Sequence, residues 1–177
     1  MKQKGLHKMV DIRKGNENDI DSITYIESKC FPVSEAASKN DIKNRMNIFP
    51  DHFFIAQMNG EMVGFVNGLV SDERNISDDM YENASLHNEK GQFQMIFGLD
   101  VLPQYRGKGI AHKLMRSIID AAKEEGRKGV VLTCKYELIS FYEELGFHSK
   151  GISKSIHGGV IWYDMELTYI NFNNKPH

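Results

Sequence analysis

Met95-Ile96-Phe97-Gly98-Leu99-Asp100-Val101-Leu102-Pro103-Gln104-Tyr105-Arg106-Gly107-Lys108-Gly109-Ile110-Ala111 passes from an apolar run, through a proline, into a loop spaced by two glycines. Met95 to Leu99 predicts a buried strand that ends near Pro103. Beyond the loop Ile110, Leu114 and Ile118 recur every four residues, with Ala111, Met115 and Ala122 beside them, which is the stripe of a helix. A strand therefore runs through a glycine-rich turn into a helix. Gly107 and Gly109 let the backbone turn tightly and come close to an anion. The first N–H groups of the helix lack partners and sit at the positive end of its dipole, so the junction suits a phosphate. Arg106, Lys108, His112 and Lys113 add basic side chains. An ordinary strand-to-helix turn would carry the same glycines, so both readings stand at this point. The loop is neither a Walker A loop nor the Gly-x-Gly-x-x-Gly dinucleotide fingerprint.

Working outward, Met9-Val10-Asp11-Ile12-Arg13 alternates and reads as a first strand. Asn16 to Asp19 offers helix caps, and Ile20, Ile23 and Ile26 form the buried stripe of a helix ending near Cys30. Phe31-Pro32 breaks the pattern. Ala36 to Phe49 predicts a second helix behind a weak Ser34 cap, stopped by Pro50. Residues 53–58 and 62–70 predict strands joined at Asn59-Gly60, a strong hairpin turn. Ser71 to Gly91 is polar, with Asp72, Glu73, Asp78, Asp79, Glu82 and Glu89 against Arg74 and Lys90. It is either a solvated insertion with a short helix around Asp78 to Ala84 or an acidic rim or lid that draws in a cationic amine. Gly129 to Thr133 predicts a short buried strand, Glu137 to Glu144 the last helix, and two closing strands follow around residues 148–154 and 160–169.

The 177 residues predict one domain, with a core at about 9–169 and a loose tail at 170–177. The apolar and charged fractions are those of a soluble globular protein. A net charge of −2 argues against a nucleic-acid partner held by phosphate neutralisation. No apolar run of spanning length is present, so no membrane is expected. Cys30 and Cys134 make neither a disulfide framework nor a zinc spacing, and the seven histidines show no ligand spacing, so no metal is expected. A reducing, cytoplasmic setting fits two free thiols. The elements together predict an α/β fold.

Arg106-Gly107-Lys108-Gly109-Ile110-Ala111 resembles the Arg/Gln-x-x-Gly-x-Gly/Ala signature of the GNAT superfamily of N-acetyltransferases. Leu132 to His148, with Phe141-Tyr142 and Gly146-Phe147, resembles its last helix. The spacing from Cys134 to Tyr142, and Phe31 to Ser38, are similar to the bacterial branch of the arylalkylamine (serotonin) N-acetyltransferases. The resemblance implies a single-domain acyl-coenzyme A N-acyltransferase fold: a mixed, mostly antiparallel central sheet of about seven strands flanked by about four helices. It implies acetyl-coenzyme A as co-substrate, a small-molecule primary amine as acceptor, direct attack of the amine on the thioester, and a monomer or homodimer.

By the same resemblance, the backbone from Arg106 to Ala111, that is Arg106, Gly107, Lys108, Gly109, Ile110 and Ala111, grips the pyrophosphate. Leu99 and Val101 supply backbone groups to the acetyl carbonyl and the pantetheine. Tyr142 gives a proton to the departing thiolate, although its place on an apolar face also fits a packed core aromatic. The vertebrate arylalkylamine enzymes carry two histidines in the central strand; Met95 and Phe97 stand there in this chain and cannot titrate. Glu35, Asp100 and His157, or a chain of waters, are left as candidates for the base. Glu35 could instead pair with the ammonium, His157 could be a turn residue, and Asp100 could be structural. Cys134 has no adjacent base and reads as an inert buried thiol. Polyamine, amino-sugar or protein acceptors, and a non-catalytic acetyl-coenzyme A sensor, are the rival readings.

Overall fold

A computed structural model describes residues 9–169. The predicted tail, 170–177, and the basic residues 1–8 lie outside the described residues. Nine strands and five α-helices follow in chain order: β1 Val10–Lys14, α1 Ile20–Cys30, α2 Lys39–Ile48, β2 Phe53–Met58, β3 Glu61–Asn67, β4 Val70–Ser71, α3 Asp78–Glu82, β5 Phe93–Ile96, β6 Gly98–Val101, α4 Ile110–Glu124, β7 Gly129–Cys134, α5 Ile139–Glu144, β8 His148–Ile152 and β9 Tyr163–Thr168. The expected strand count was about seven. The difference arises because two passes of the chain are each broken midway: β3 and β4 at Gly68-Leu69, β5 and β6 at Phe97.

The strands form two ladders, β1-β2-β3-β6 and β4-β5-β7-β9-β8. Every pair is antiparallel except β5 with β7. The two ladders are one surface on one side: Met95 N–H donates to Leu69 O at 2.8 Å and Phe97 N–H to Asn67 O at 2.7 Å, carrying the β5–β6 pass along the β3–β4 pass. On the other side only β5 has a neighbour. Beyond Ile96, β7 leaves, and β6 is paired on one edge only. The chain approach at the break is close. A Cβ on Gly68 would lie 1.7 Å from Met95 O.

Alternation along β2 divides the core. Phe53 and Ile55 face the cluster under α1 and α2, with Ile23, Ile26, Ile42 and Met46. Phe54 and Ala56 face the cluster under α4 and α5, with Ile110, Leu114, Ile118 and Tyr142. The predicted stripe of α4 is the buried stripe. The start of α2 is corrected from Ala36 to Lys39: Ser38, not Ser34, is the cap. Its Oγ accepts from Asp41 N–H at 3.1 Å, and the Asp41 carboxylate accepts from Ser38 N–H at 3.1 Å. That reciprocal cap fixes the helix start. Residues 31–37 are thereby left as irregular chain turned over Pro32. Among the described residues no helix is long and apolar enough to cross a membrane.

Segment 71–91 is exposed along most of its length and carries the expected short helix, α3, but it is also tied down. Ile76, Met80 and Ala84 are buried in the second core. The Asp78 carboxylate accepts from Ser155 O–H and from Ile156 N–H. Arg74 pairs with buried Glu166, which also takes Lys150 Nζ at 3.1 Å.

Candidate active site

The fork between β6 and β7 sets the site. Leu102 N–H donates to Val63 O at 2.9 Å, in register with Gly64 opposite Val101. Ladder bonds alternate along a strand, so Gly98 and Asp100 point their backbone groups at β3, and Leu99 and Val101 point theirs into the fork. Val101 O there accepts from Arg106 Nε at 3.0 Å and from Cys30 Sγ at 3.4 Å. The N–H groups of Leu99 and Val101 thus face open space that a carbonyl or amide oxygen can enter.

The glycine loop closes the fork's lower end. Gly107 and Gly109 adopt φ of 76° and 80°, a left-handed conformation that side chains resist, and a Cβ on either would meet nothing within 4 Å. Gly109 is the N-cap of α4, so the first N–H groups of that helix open outward. A cavity of about 570 Å³ fills the fork, lined by Leu99, Val101, Arg106 and Ala111. A second of about 270 Å³ adjoins it along Gly107, Gly109 and Ile110. Val101, Arg106, Ala111 and Phe141 line both, which makes one groove from the loop into the fork. Lys108 is absent from both walls and lies over the Tyr105 ring, with Nζ 5.6 Å from its centre.

Tyr142 lines the upper cavity from α5 and is 6% exposed. Its hydroxyl has no hydrogen-bond partner among the described residues. Burial pushes the phenol upward, with the neighbouring Cys134 and Asp100 adding to it. Cys134 lines the same wall, and burial pushes its thiol up to about 12, which keeps it protonated.

Glu35 and His157 meet at the opposite end. Lys135 Nζ lies 2.9 Å from Glu35 Oε1 and 3.1 Å from Oε2. His157 Nε2 donates to Glu35 O at 2.9 Å, and its ring stacks on Tyr81 at 4.9 Å. His157 is therefore a wall residue as well as a turn residue. Asp100 is separate. It is 0% exposed and does not line the cavity.

Three wall or near-wall residues escaped the sequence reading: Glu27, Arg45 and Tyr81. Glu27 lies four residues after Ile23 and Arg45 three after Ile42, each on the stripe its helix buries. A charge on an apolar stripe was the available signal. Glu27 Oε2 accepts from Ala37 N–H at 2.9 Å. A Cβ on Gly98 would lie 3.5 Å from Glu27 Oε1 and 2.9 Å from Asp100 Oδ1. Glu27 Oε1 and both Asp100 oxygens are buried, with no N–H or hydroxyl donor in reach. Two buried carboxyls set so close make it costly for both to ionise. Burial, then the Glu27 charge, holds the Asp100 carboxyl well above the usual range. Arg45 NH2 donates to Tyr81 O at 2.9 Å, with the guanidinium stacked 4.8 Å above the Phe97 ring.

Outside the cavity, His52, His87 and Glu89 bring their ligand atoms within 4.8 Å of one another. Gln94 spends its Nε2 hydrogens on Gly68, Leu69 and Met95 carbonyls, so its Oε1 accepts from His52 Nδ1 at 2.8 Å. Val70 N–H donates to His87 Nδ1 at 3.0 Å. His87 Nε2 then carries that ring's proton toward Glu89, 2.7 Å away, where a metal would need a lone pair.

A family model described as the acetyltransferase (GNAT) family matches residues 20–147. A probable hydrolase of Bacillus subtilis (strain 168) is 28% identical over 132 residues, 71% of this chain and 26% of that protein. N-alpha-acetyltransferase 30 of Schizosaccharomyces pombe (strain 972) is 30% identical over 118 residues, 65% of this chain and 69% of that one. The solved loading GNATL domain of CurA from Lyngbya majuscula superposes with a TM-score of 0.78 at 15% identity, over 90% of this chain and 98% of that domain, a likeness of fold. Several curated relatives are longer proteins, of which the chain spans 26% to 42%.

Proposed function

The chain belongs to the acetyltransferase (GNAT) family, and on that premise we propose that it moves the acetyl group of acetyl-coenzyme A to a primary amine of a small molecule. One observation carries the reading: the unspent N–H groups of Leu99 and Val101 face the same groove that holds Tyr142 and runs down to the glycine loop. The pyrophosphate would lie on the N–H groups from Arg106 to Ala111, the positive end of α4. The pantetheine would follow the free edge of β6, bonding to Val101. The Leu99 N–H would meet the acetyl oxygen, where charge develops as nitrogen attacks. Tyr142 would protonate the leaving sulfur. The departing thiolate has a conjugate acid near ~8.5 and a free phenol lies near ~10, so the proton moves uphill, more so for a buried phenol, and it crosses only as the carbon–sulfur bond breaks and the attacking nitrogen re-protonates the tyrosine.

Phe31, Tyr81, Phe97, His157 and Trp162 give the acceptor end an aromatic lining that suits an arylalkylamine. The Glu35–Lys135 pair and the His157–Glu35 bond fix polar groups on the same wall, which suits a small amine. The fission-yeast relative's name supports a second reading, a peptide N-terminus as acceptor. Thiol release from acetyl-coenzyme A with phenethylamine, spermidine, glucosamine and a short peptide separates these. Release with phenethylamine is expected. Release with the peptide alone would replace the small-molecule reading. Tight donor binding with no release from any amine would leave a coenzyme sensor.

A further inference from the structure

We propose that Glu27 takes the proton of the acceptor's ammonium and that Asp100 is the positioning residue that holds it for this task. The inference rests on the acetyl-transfer reading above. Of the carboxylates on the cavity wall, Glu27 is the one set beside Gly98, next to the Leu99 N–H where the acetyl oxygen would lie. It is 6% exposed, so water screens it little. Glu27 Oε2 accepts the Ala37 N–H at 2.9 Å, a neutral partner that leaves the carboxylate its charge, whereas the rival groups are more fully engaged. Both Glu35 oxygens face Lys135 Nζ. His157 commits Nε2 to Glu35 O. Asp100 lies behind the wall.

The groups around the pair are few. From α1 come Glu27 and Cys30, from α2 Arg45, and from β6 Asp100 itself. Arg45 in turn faces Asp41 and Tyr81. Arg45 is the positive charge that faces Asp100.

The proton balance closes. The ammonium gives one proton to the Glu27 carboxylate, and the freed nitrogen pair bonds to the thioester carbon. As the carbonyl re-forms, the carbon–sulfur bond breaks and sulfur takes the Tyr142 proton. The second proton of the attacking nitrogen returns to the tyrosinate. The first leaves Glu27 for solvent, so each turnover yields amide, free thiol and one proton.

The test is kcat/KM against pH for wild type, Glu27→Gln and Asp100→Asn with an amine that the wild type acetylates, with acetyl-coenzyme A affinity measured by calorimetry. Glu27→Gln is expected to lower kcat/KM by roughly 100-fold or more and to lose the acid limb, with donor affinity within about twofold. With methoxyamine, uncharged at the assay pH, the loss shrinks because there is no ammonium proton for Glu27 to take before attack. Asp100→Asn moves the limb; a merely structural Asp100 would change the level and leave the limb in place. If Glu27→Gln does not fold, Glu27→Asp, with its shorter reach, serves in its stead and is expected to lose turnover with donor affinity kept. Full activity with an unmoved limb in the Glu27 variant overturns the inference while leaving acetyl transfer standing. A wild type that binds donor but acetylates no amine overturns both.

Discussion

At the scale of single residues, the site depends on protons held in place by burial. Tyr142 sits among Phe141 and Phe147, at ring distances of 5.0 and 5.8 Å, and its phenol is pushed upward. A phenol so placed stays protonated at neutral pH, as the proposed acid must. Tyr142→Phe is expected to lower turnover roughly 100-fold, with calorimetric donor affinity unchanged; full turnover would remove it from the reaction. Cys134 lies beside it with a thiol pushed up to about 12. A thiol so held is a poor nucleophile, so Cys134→Ala is expected to keep turnover within about threefold and wild type to show no acetyl-enzyme by mass spectrometry. An acetyl adduct on Cys134 would replace direct transfer with a two-step route.

At the scale of elements, the fork exists because the β5–β6 pass keeps its partner on one edge and loses it on the other. Gly68 makes that possible, since the bend of β3 into β4 runs against Met95 O. Gly68→Ala is expected to cost about 3 kcal/mol by overpacking, read from denaturant midpoints. A cost near that of an ordinary surface change would mean the bend has slack. The apolar run from Met95 could not reveal this break. Its residues suit a buried strand throughout, and only the departure of β7, far along the chain, decides where pairing stops. Helix α4 was legible because its whole stripe is local, and the hairpin at Asn59-Gly60 because both residues take positive φ of 50° and 79°. The start of α2 was misread because Ala36 and Ala37 favour helix, while the Ser38–Asp41 cap lies just beyond and wins. Asp100 was named as a candidate base but without its neighbours: Glu27 and Arg45 were passed over because each is an ordinary polar residue in sequence, and only packing α1 and α2 on β6 brings the three together. The glycines of the loop were read correctly as backbone devices. Gly109→Ala, forced to φ of 80°, is expected to cost about 1–2 kcal/mol and to weaken donor binding at the α4 N-terminus, read by calorimetry against thermal stability.

At the scale of the whole molecule, segment 71–91 helps close the cavity by carrying Tyr81 and Glu82 to its wall, and Glu89 pins the segment's end to the sheet. Glu89 Oε2 lies 2.8 Å from buried His52 and 2.7 Å from His87, and Oε1 3.3 Å from Arg127. Arg127 NH1 also donates to Glu89 O at 3.0 Å and to Gly91 O at 2.7 Å. Burial lowers the His87 imidazole below its usual range, and the histidine bonds hold the Glu89 carboxyl low despite its desolvation. The signs agree. The folded His87 binds its proton less readily than the unfolded one, so its contribution is full above the unfolded value, about 6.5, and is lost as pH falls. The Glu89 contribution is lost lower still, as pH falls through its depressed folded value. Asp100 opposes both, since its raised carboxyl favours the folded state in acid. Thermal stability is therefore expected to begin falling as pH drops below the unfolded imidazole value of about 6.5, and His87→Gln is expected to flatten that slope. Glu89→Gln is expected to cost about 1 kcal/mol, small because the carboxylate is largely exposed. It should also speed amide exchange across Ile76 to Leu86 while leaving β2 and β7 protected. Equal exchange in both regions would mean that the segment is held by its apolar contacts alone and that the clasp adds nothing to the wall.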